Sequence, residues 1–316
     1  MDRHASLSLS DVLTGVTECS GGLASDAPAV RTQCLLMHPV EPVLTAHLFP
    51  GLHASLMELL DGMQEDDWAR PTAAGTWQVR DVAAHLLDGN IRQISFRRDG
   101  LVPLDPEFPI RSYADLVGFI DRLNASWVKA FERASPRVLR ELLDVTGPAV
   151  SEIFAGLDPF GQALFGVAWA GEMSSTNWFD TAREFTERWH HQQQMRDAVG
   201  AEDIARREWL YPVLDTFFRG LPHAYREAVA ADGQSIVFDI GGQAGGSWTL
   251  RREDAGWQLY TGAPTTGFAA RVQTDQDTAW RLLTKGMKPE QARPRVTIDG
   301  PDALRTPFLQ MLAIMG

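Results

Sequence analysis

The sequence contains little of what several protein classes require. Cys19 and Cys34 are the only cysteines in 316 residues, which excludes a disulfide-stapled scaffold and a zinc site built from several cysteines. No apolar run approaches the roughly 20 residues that a membrane-spanning helix needs. No apolar stretch follows a basic start either, as a secretory signal would require. We therefore expect a cytoplasmic protein that has no membrane partner.

Basic side chains are scarce in the first two thirds of the chain. Residues 1–203 carry a net charge of −13 and residues 204–316 carry +1, within a total of −12. Because binding to a phosphate backbone needs a surface rich in Lys and Arg, nucleic acid is not an expected partner. Two catalytic signatures are also missing, since there is neither a Gly-x-Ser-x-Gly nucleophile elbow nor a strand–glycine–helix phosphate loop.

Apolar residues are plentiful enough for folded cores. They make up 44% of the chain and include ten tryptophans, and the length suggests two domains. Residues 1–37 differ from the rest, because they are rich in Ser, Gly, Thr and Ala and show little periodicity. We expect these residues to form a poorly ordered leader.

Residues 38–203 show the spacing of amphipathic helices. Apolar residues recur every three or four positions in four segments, which predicts a bundle of four helices. These segments are 48–63, about 76–98, 113–131 and about 176–199. Ser112 and Asp115 predict an N-terminal cap for the third helix. Between residues 136 and 170 the pattern is mixed, and Gly147-Pro148 predicts a break.

Residues 204–316 change character. A helix at 208–226 is followed by short runs with strand character, which predicts an α+β domain with a mainly antiparallel sheet. The predicted strands are 235–240, 247–252, 257–260, 269–273 and 295–298. Further helices are expected at 275–285 and 301–315.

Three side chains could bind a metal ion. His85 lies on the apolar face of the second helix, and Glu187 and His191 are four residues apart on the last helix, so their side chains share one face. Two imidazoles and one carboxylate leave a fourth position open, as catalytic zinc prefers. The alternatives are a packed core histidine at position 85 and a solvated surface pair at positions 187 and 191.

The last helix adds a condition to this hypothesis. Its large aromatic residues lie on the side opposite Glu187 and His191, so burial of that side alone would leave both proposed ligands in water. The metal site therefore requires a helix that is covered on both faces. His190 points in a different direction and is the second choice as a ligand.

Two segments resemble a known family. Residues 77–89, Trp-Gln-Val-Arg-Asp-Val-Ala-Ala-His-Leu-Leu-Asp-Gly, with Arg-Arg-Asp-Gly at 97–100, are similar to the second helix of mycothiol-dependent maleylpyruvate isomerase-like proteins. Residues 183–196 are similar to that family's last metal-bearing helix. The resemblance implies a DinB-like four-helix bundle that binds a divalent ion, commonly zinc, through His85, Glu187 and His191. It also implies a sterol carrier protein-like C-terminal domain.

The resemblance also implies a class of reaction. A low-molecular-weight thiol such as mycothiol would act on an electrophilic small molecule, in a maleylpyruvate-type cis/trans isomerisation or as an S-transferase. A metal-dependent hydrolase that uses bound water, and a non-enzymatic module that binds a small molecule or lipid, remain alternatives. Independently of the resemblance, the substrate could be anionic and held by four arginines of the second domain: Arg251, Arg252, Arg271 and Arg281. The alternative is that these arginines only cover solvated strand and helix surfaces. No catalytic side chain is assigned, and an oligomer is compatible with the sequence.

Overall fold

A computed structural model describes residues 37–106 and 108–314 of the chain. The leader predicted for residues 1–37, including both cysteines, lies outside the described residues except for Met37. None of the helices in the described ranges combines the length and the hydropathy that a membrane span requires.

Long helices dominate the first part of the described chain. They are α1 (Phe49–Gly62), α2 (Val79–Gln93), α3 (Tyr113–Phe131), α4 (Pro136–Ala155) and α5 (Asn177–Val199). Helices α1, α4, α2 and α5 pack in a ring, because α1 contacts α4 and α5 while α2 also contacts both. The described residues thus contain a four-helix bundle, and α3 packs against its α2.

The start of α3 follows from its sequence. The Ser112 hydroxyl accepts a hydrogen bond from the Asp115 amide at 3.1 Å, and the Asp115 carboxylate accepts one from the Ser112 amide at 2.9 Å. Both amides would otherwise be unpaired at the first turn of the helix. The predicted capping box is confirmed.

Helix α4 lies in the segment for which the sequence pattern was mixed, residues 136–170, and it corrects the prediction made there. The predicted break at Gly147-Pro148 is wrong, because α4 continues through Pro148. Proline removes one backbone hydrogen bond, but Leu139, Leu143 and Val150 of this helix are buried and hold it against its neighbours. Burial therefore outweighs the local cost, and α4 rather than α3 is a member of the ring.

Gly147 permits a close contact between α4 and α1. A Cβ atom at this position would lie 2.1 Å from Cε1 of His53. We expect Gly147→Ala to lower the free energy of unfolding by about 1–3 kcal/mol, because the imidazole must move out of a packed position. Chemical denaturation would measure the change. Gly62→Ala is the matched control, since no atom lies within 4 Å of its Cβ position, and an equal loss in both variants would contradict the role of His53.

The second part contains a six-stranded sheet in the order β1-β4-β3-β2-β5-β6. The strands are β1 (His38–Pro39), β2 (Ser235–Gly241), β3 (Gly246–Glu253), β4 (Gly256–Thr261), β5 (Ala270–Asp275) and β6 (Thr297–Asp299). All neighbouring pairs are antiparallel except β2 and β5, which are parallel. The predicted α+β arrangement is therefore confirmed, and the sheet is mixed. It also includes β1, a two-residue strand that precedes the bundle and was not predicted from the sequence.

Short helices accompany this sheet. They are α6 (Arg207–Phe218), α7 (Leu221–Ala224), α8 (Gln276–Leu283), α9 (Pro289–Ala292) and α10 (Thr306–Gln310). The single closing helix predicted at residues 301–315 is wrong, because α10 ends at Gln310 and Met311 has extended backbone angles. The Ala313 amide instead donates to the carbonyl of Leu283 at 3.0 Å. In this segment a tertiary hydrogen bond takes the place of the helical hydrogen bonds that were predicted.

The described residues form one compact unit. Strand β1 pairs His38 with Thr261 and Pro39 with Tyr260, so the segment before the bundle forms one edge of the sheet. The boundary between residues 203 and 204 and the sterol carrier protein-like character of the second part stay predictions.

Candidate metal centre

Helix α5 is covered on both faces. Phe185 and Trp189 are completely buried on its aromatic side, while His191 on the other side is 7% exposed. The helix contacts α1 and α2 of the bundle and α6 of the second part. The condition set by the aromatic pattern is therefore met, because the side chains opposite the aromatic residues are largely buried, with 9% of the His191 side chain and 20% of the Glu187 side chain exposed.

Helices α2 and α5 bring the three predicted ligands together. One ligand atom each from His85, Glu187 and His191 lies within 4.8 Å of the other two. His191 Nε2 is 3.7 Å from Glu187 Oε2, and the ring centroids of the two histidines are 4.8 Å apart. Two ligands of one zinc ion lie at most about 4.2 Å apart, from bond lengths near 2.1 Å. A small movement of side chains would therefore place all three within the range for one ion.

The hydrogen bonds of the two imidazoles suit metal ligation. His191 Nδ1 contacts Gln194 Oε1 at 2.9 Å, and because that oxygen can only accept, the Nδ1 atom carries the proton. His191 Nε2 then has a free lone pair on the side of Glu187. In the described part of the chain, Nδ1 of His85 is buried and has no hydrogen-bond partner. An unpaired buried nitrogen is costly, and a metal ion would relieve that cost.

Burial controls the charges of the triad. It lowers the pKa of His85 and of His191 well below the usual 6.5, so both imidazoles are neutral and able to ligate near pH 7. Burial raises the pKa of Glu187 to about 7 and outweighs the opposing influence of Arg183. In the metal-free protein Glu187 is thus half protonated at neutral pH, and a cation would favour its ionised form.

A neighbouring carboxylate behaves in the opposite way. Glu184 accepts a hydrogen bond from Arg183 at 2.7 Å and pairs with Arg188 through its other oxygen. Burial alone would raise the pKa of Glu184, but the two guanidinium groups lower it to about 2. Glu184 is therefore neutralised by arginine, whereas Glu187 faces His191. Of these two carboxylates, Glu187 is the one available to a metal ion.

His190, the second choice as a ligand, is not part of the cluster. Its Nδ1 atom contacts the carbonyl oxygen of Thr186 at 2.9 Å, and its ring packs against that of His191 with centroids 4.0 Å apart. The side chain is 1% exposed, and burial lowers its pKa to about 4. His190 therefore supports the position of His191 by packing.

Two residues near the triad were not singled out from the sequence. The ring centroid of Trp77 is 5.1 Å from that of His85 and 6.5 Å from that of His191, so the indole covers one side of the cluster. Gln194 orients His191 from three residues further along α5. Only Gln194 had a local signal, namely its i+3 position relative to a proposed ligand.

Two of the four arginines considered for an anionic substrate form ion pairs within the chain. Arg271 forms an ion pair with Asp239 at 2.6 Å, and Arg281 pairs with Asp197 and Asp277 at 2.6 and 2.7 Å. These contacts favour a structural role for both arginines.

One comparison with known proteins matches the part of the chain that contains the triad. Residues 49–196 match the family model described as the mycothiol maleylpyruvate isomerase N-terminal domain, a range that includes all three side chains. No curated protein matches the chain.

Solved structures show weaker likenesses. A mycothiol-dependent maleylpyruvate isomerase and its histidine-to-alanine mutant are each 12% identical, with TM-scores of 0.47 and 0.48, over 81% of this chain and 93% of theirs. A stereoselective inverting sec-alkylsulfatase from Pseudomonas sp. is 14% identical over 75% of this chain and 44% of its own, with a TM-score of 0.23. Because all three TM-scores are below 0.5, the family assignment rests on the sequence match. Residues 49–196 therefore belong to the family of mycothiol maleylpyruvate isomerase N-terminal domains, which confirms the resemblance in the two helix motifs.

Proposed function

We propose that this chain is a zinc-dependent enzyme that uses a low-molecular-weight thiol, such as mycothiol, to isomerise a small unsaturated acid of the maleylpyruvate type. The observation that carries the proposal is the meeting of His85, Glu187 and His191 within 4.8 Å, inside a domain of the mycothiol maleylpyruvate isomerase family. Two nitrogen donors and one carboxylate form a set that zinc accepts, and they leave a position for an outside ligand.

The residues of the chain would hold and shield the reactants. His85 and His191 would ligate the ion as neutral imidazoles, and Glu187 would contribute the single negative charge. Trp77 would exclude water from one side of the cluster. A bound divalent ion supplies Lewis acidity, which favours the thiolate form of a thiol. The thiol supplies reversible addition and elimination at the double bond, so the bond can rotate without net oxidation, reduction or hydrolysis.

Turnover with and without the thiol tests this function. Zinc-loaded protein would be incubated with maleylpyruvate, and the appearance of the trans isomer would be followed by chromatography. We expect isomer only when mycothiol is added, with the thiol recovered unchanged. Stoichiometric loss of the thiol would instead indicate an S-transferase. Hydrolysis products that form without any thiol would indicate a metal-dependent hydrolase, and a co-purified lipid without metal would indicate a binding module.

The contact between Gln194 and His191 leads to a separate expectation. Gln194→Ala should weaken zinc binding by about 10- to 100-fold, because the imidazole loses the acceptor that sets its tautomer and orientation. Competition with a chelator of known affinity would measure the change. Gln194→Glu should restore most of the affinity, because a carboxylate oxygen also accepts the hydrogen bond that His191 Nδ1–H donates.

The run of three glutamines offers a matched control for this test. Gln192→Ala changes a neighbour that is equally buried, and the structure shows no partner for its Nε2 atom among the described residues. We expect this variant to retain the zinc affinity of the parent. Equal weakening in Gln192→Ala and Gln194→Ala would show that the loss comes from disturbed packing of α5.

A further inference from the structure

The two imidazoles of the triad are held in different ways. His191 Nδ1 contacts Gln194 Oε1 at 2.9 Å, and this hydrogen bond fixes the plane of the ring. In the described part of the chain, His85 has no such support, because its buried Nδ1 atom lacks a hydrogen-bond partner. The torsion that turns a histidine ring about its Cβ–Cγ bond has only a broad preference of its own. Contacts with neighbouring groups therefore set the plane of the His85 imidazole.

Two aromatic rings contact the imidazole of His85. The centroid of the Trp77 indole lies 5.1 Å from that of His85, with an angle of 44° between the two planes. The His191 ring lies 4.8 Å away at an angle of 76°. Both distances are those of packed aromatic pairs. Because His191 is itself a proposed ligand, Trp77 is the one of these two neighbours that can hold His85 without ligating the ion.

The loop before α2 fixes Trp77 in turn. The carbonyl oxygen of Trp77 accepts hydrogen bonds from the amide of Thr72 at 3.0 Å and from its hydroxyl at 2.8 Å, and the Trp77 amide donates to the carbonyl of Ala74 at 3.1 Å. Gly75 permits this tight turn, because its φ of +62° lies in the left-handed region. The indole packs against a buried apolar cluster of the bundle. Trp77 is therefore anchored through both its backbone and its ring.

We propose that Trp77 is a positioning residue of the metal centre and that its indole, by packing against His85, sets the plane in which this imidazole ligates the ion. The contact supplies to His85 what the hydrogen bond from Gln194 supplies to His191. The indole cannot ligate, because its nitrogen is a donor only. A ring that is already held in place loses less conformational freedom when the ion binds, so the packing raises the affinity. This inference rests on the proposed function, because it assigns a role at the same triad.

Zinc binding by two variants of the full-length chain tests the proposal without relying on turnover. Trp77→Phe keeps a ring against His85, so in competition with a chelator its zinc affinity should stay within about threefold of that of the parent. Trp77→Leu keeps an apolar side chain but no ring. It should bind zinc about tenfold or more weakly, as expected when a group that orients a metal ligand is lost. A role in packing alone predicts similar affinities for the two variants, since both side chains are apolar and smaller than an indole.

Trp127 provides a matched control that also contacts α2. Its side chain is likewise partly buried, its indole nitrogen donates to the carbonyl of Ala84 at 2.9 Å, and its ring stacks on Phe131 rather than on an imidazole, with centroids 4.5 Å apart. Trp127→Leu should lower the melting temperature, because it removes both contacts. We expect this variant to bind zinc like the parent.

Cobalt substitution gives a readout that a loss of packing elsewhere would not move. The visible absorption of bound Co²⁺ depends on the geometry of its ligands. Trp77→Leu should therefore change the absorption bands, whereas Trp77→Phe and Trp127→Leu should reproduce the spectrum of the parent.

Each outcome decides the proposal. Parent-like affinity in Trp77→Leu, equal weakening in Trp77→Phe, or equal weakening in Trp127→Leu would overturn it. If the parent shows thiol-dependent turnover while Trp77→Leu keeps the affinity and cobalt spectrum of the parent, only this inference falls. If zinc binding depends on Trp77 as expected but the parent lacks thiol-dependent turnover, this inference stands and the proposed function falls. A parent that binds no zinc would overturn both.

Discussion

Replacing His85 by alanine is expected to remove the bound divalent ion and to reduce thiol-dependent turnover by at least about a thousandfold. The variant loses one of only three ligands, and the Lewis acidity of a catalytic metal is worth several kcal/mol of transition-state stabilisation. Metal analysis after dialysis should find about one zinc per chain in the parent and less than about a tenth in the variant. His191→Ala should behave in the same way.

A surface histidine provides the control for this experiment. His47 is exposed on the short turn before α1, so His47→Ala should retain both zinc and turnover. The metal-centre hypothesis requires the two results to differ. Full zinc content in His85→Ala, or its loss in His47→Ala, would show that the ion binds elsewhere on the chain.

Zinc affinity is expected to fall about a hundredfold between pH 8 and pH 5. Burial raises the pKa of Glu187 to about 7, so below that pH the metal-free protein must release a proton before this carboxylate can ligate. Affinity should therefore be nearly constant above pH 7 and fall about tenfold per pH unit below it. His85 and His191 add little to this slope, because burial keeps both imidazoles neutral in the metal-free protein.

Calorimetry in buffers with different enthalpies of ionisation would measure this proton release. We expect about one proton per zinc at pH 6 and close to none at pH 8. Glu187→Gln should bind zinc more weakly and should lose the dependence on pH over this range, since an amide does not titrate. An unchanged slope in Glu187→Gln would assign the proton to another group.

Local patterns of the sequence were sufficient for many elements. The apolar spacing located α1, α2, α3 and α5, and Ser112 with Asp115 located the start of α3. These features depend on residues within one or two helical turns of each other, so neighbouring side chains determine them. The same holds for Glu187 and His191, whose four-residue separation places both on one face of any helix.

Elements that depend on distant contacts could not be predicted in this way. The sequence of α4 contains Gly147-Pro148, which locally favours a break, and burial of three leucine and valine side chains overrides it. The segment after Gln310 contains helix-forming residues, yet a backbone hydrogen bond from Ala313 to Leu283 holds it in another conformation. In both places packing outweighs the local preference of the sequence.

By itself, the sequence determined which side chains could ligate a metal and that two of them share a helix face, because both properties are local. It also identified the family of residues 49–196, through two helix motifs that lie within the matched range. Only the tertiary structure decided that His85 meets Glu187 and His191, that α5 is covered on both faces, and that Gln194 orients an imidazole. A cleft lined by Tyr113, Trp169 and Met311 likewise exists only in the folded chain, because these residues lie far apart in the sequence. Such distances depend on how the helices pack, which no spacing within one helix can encode.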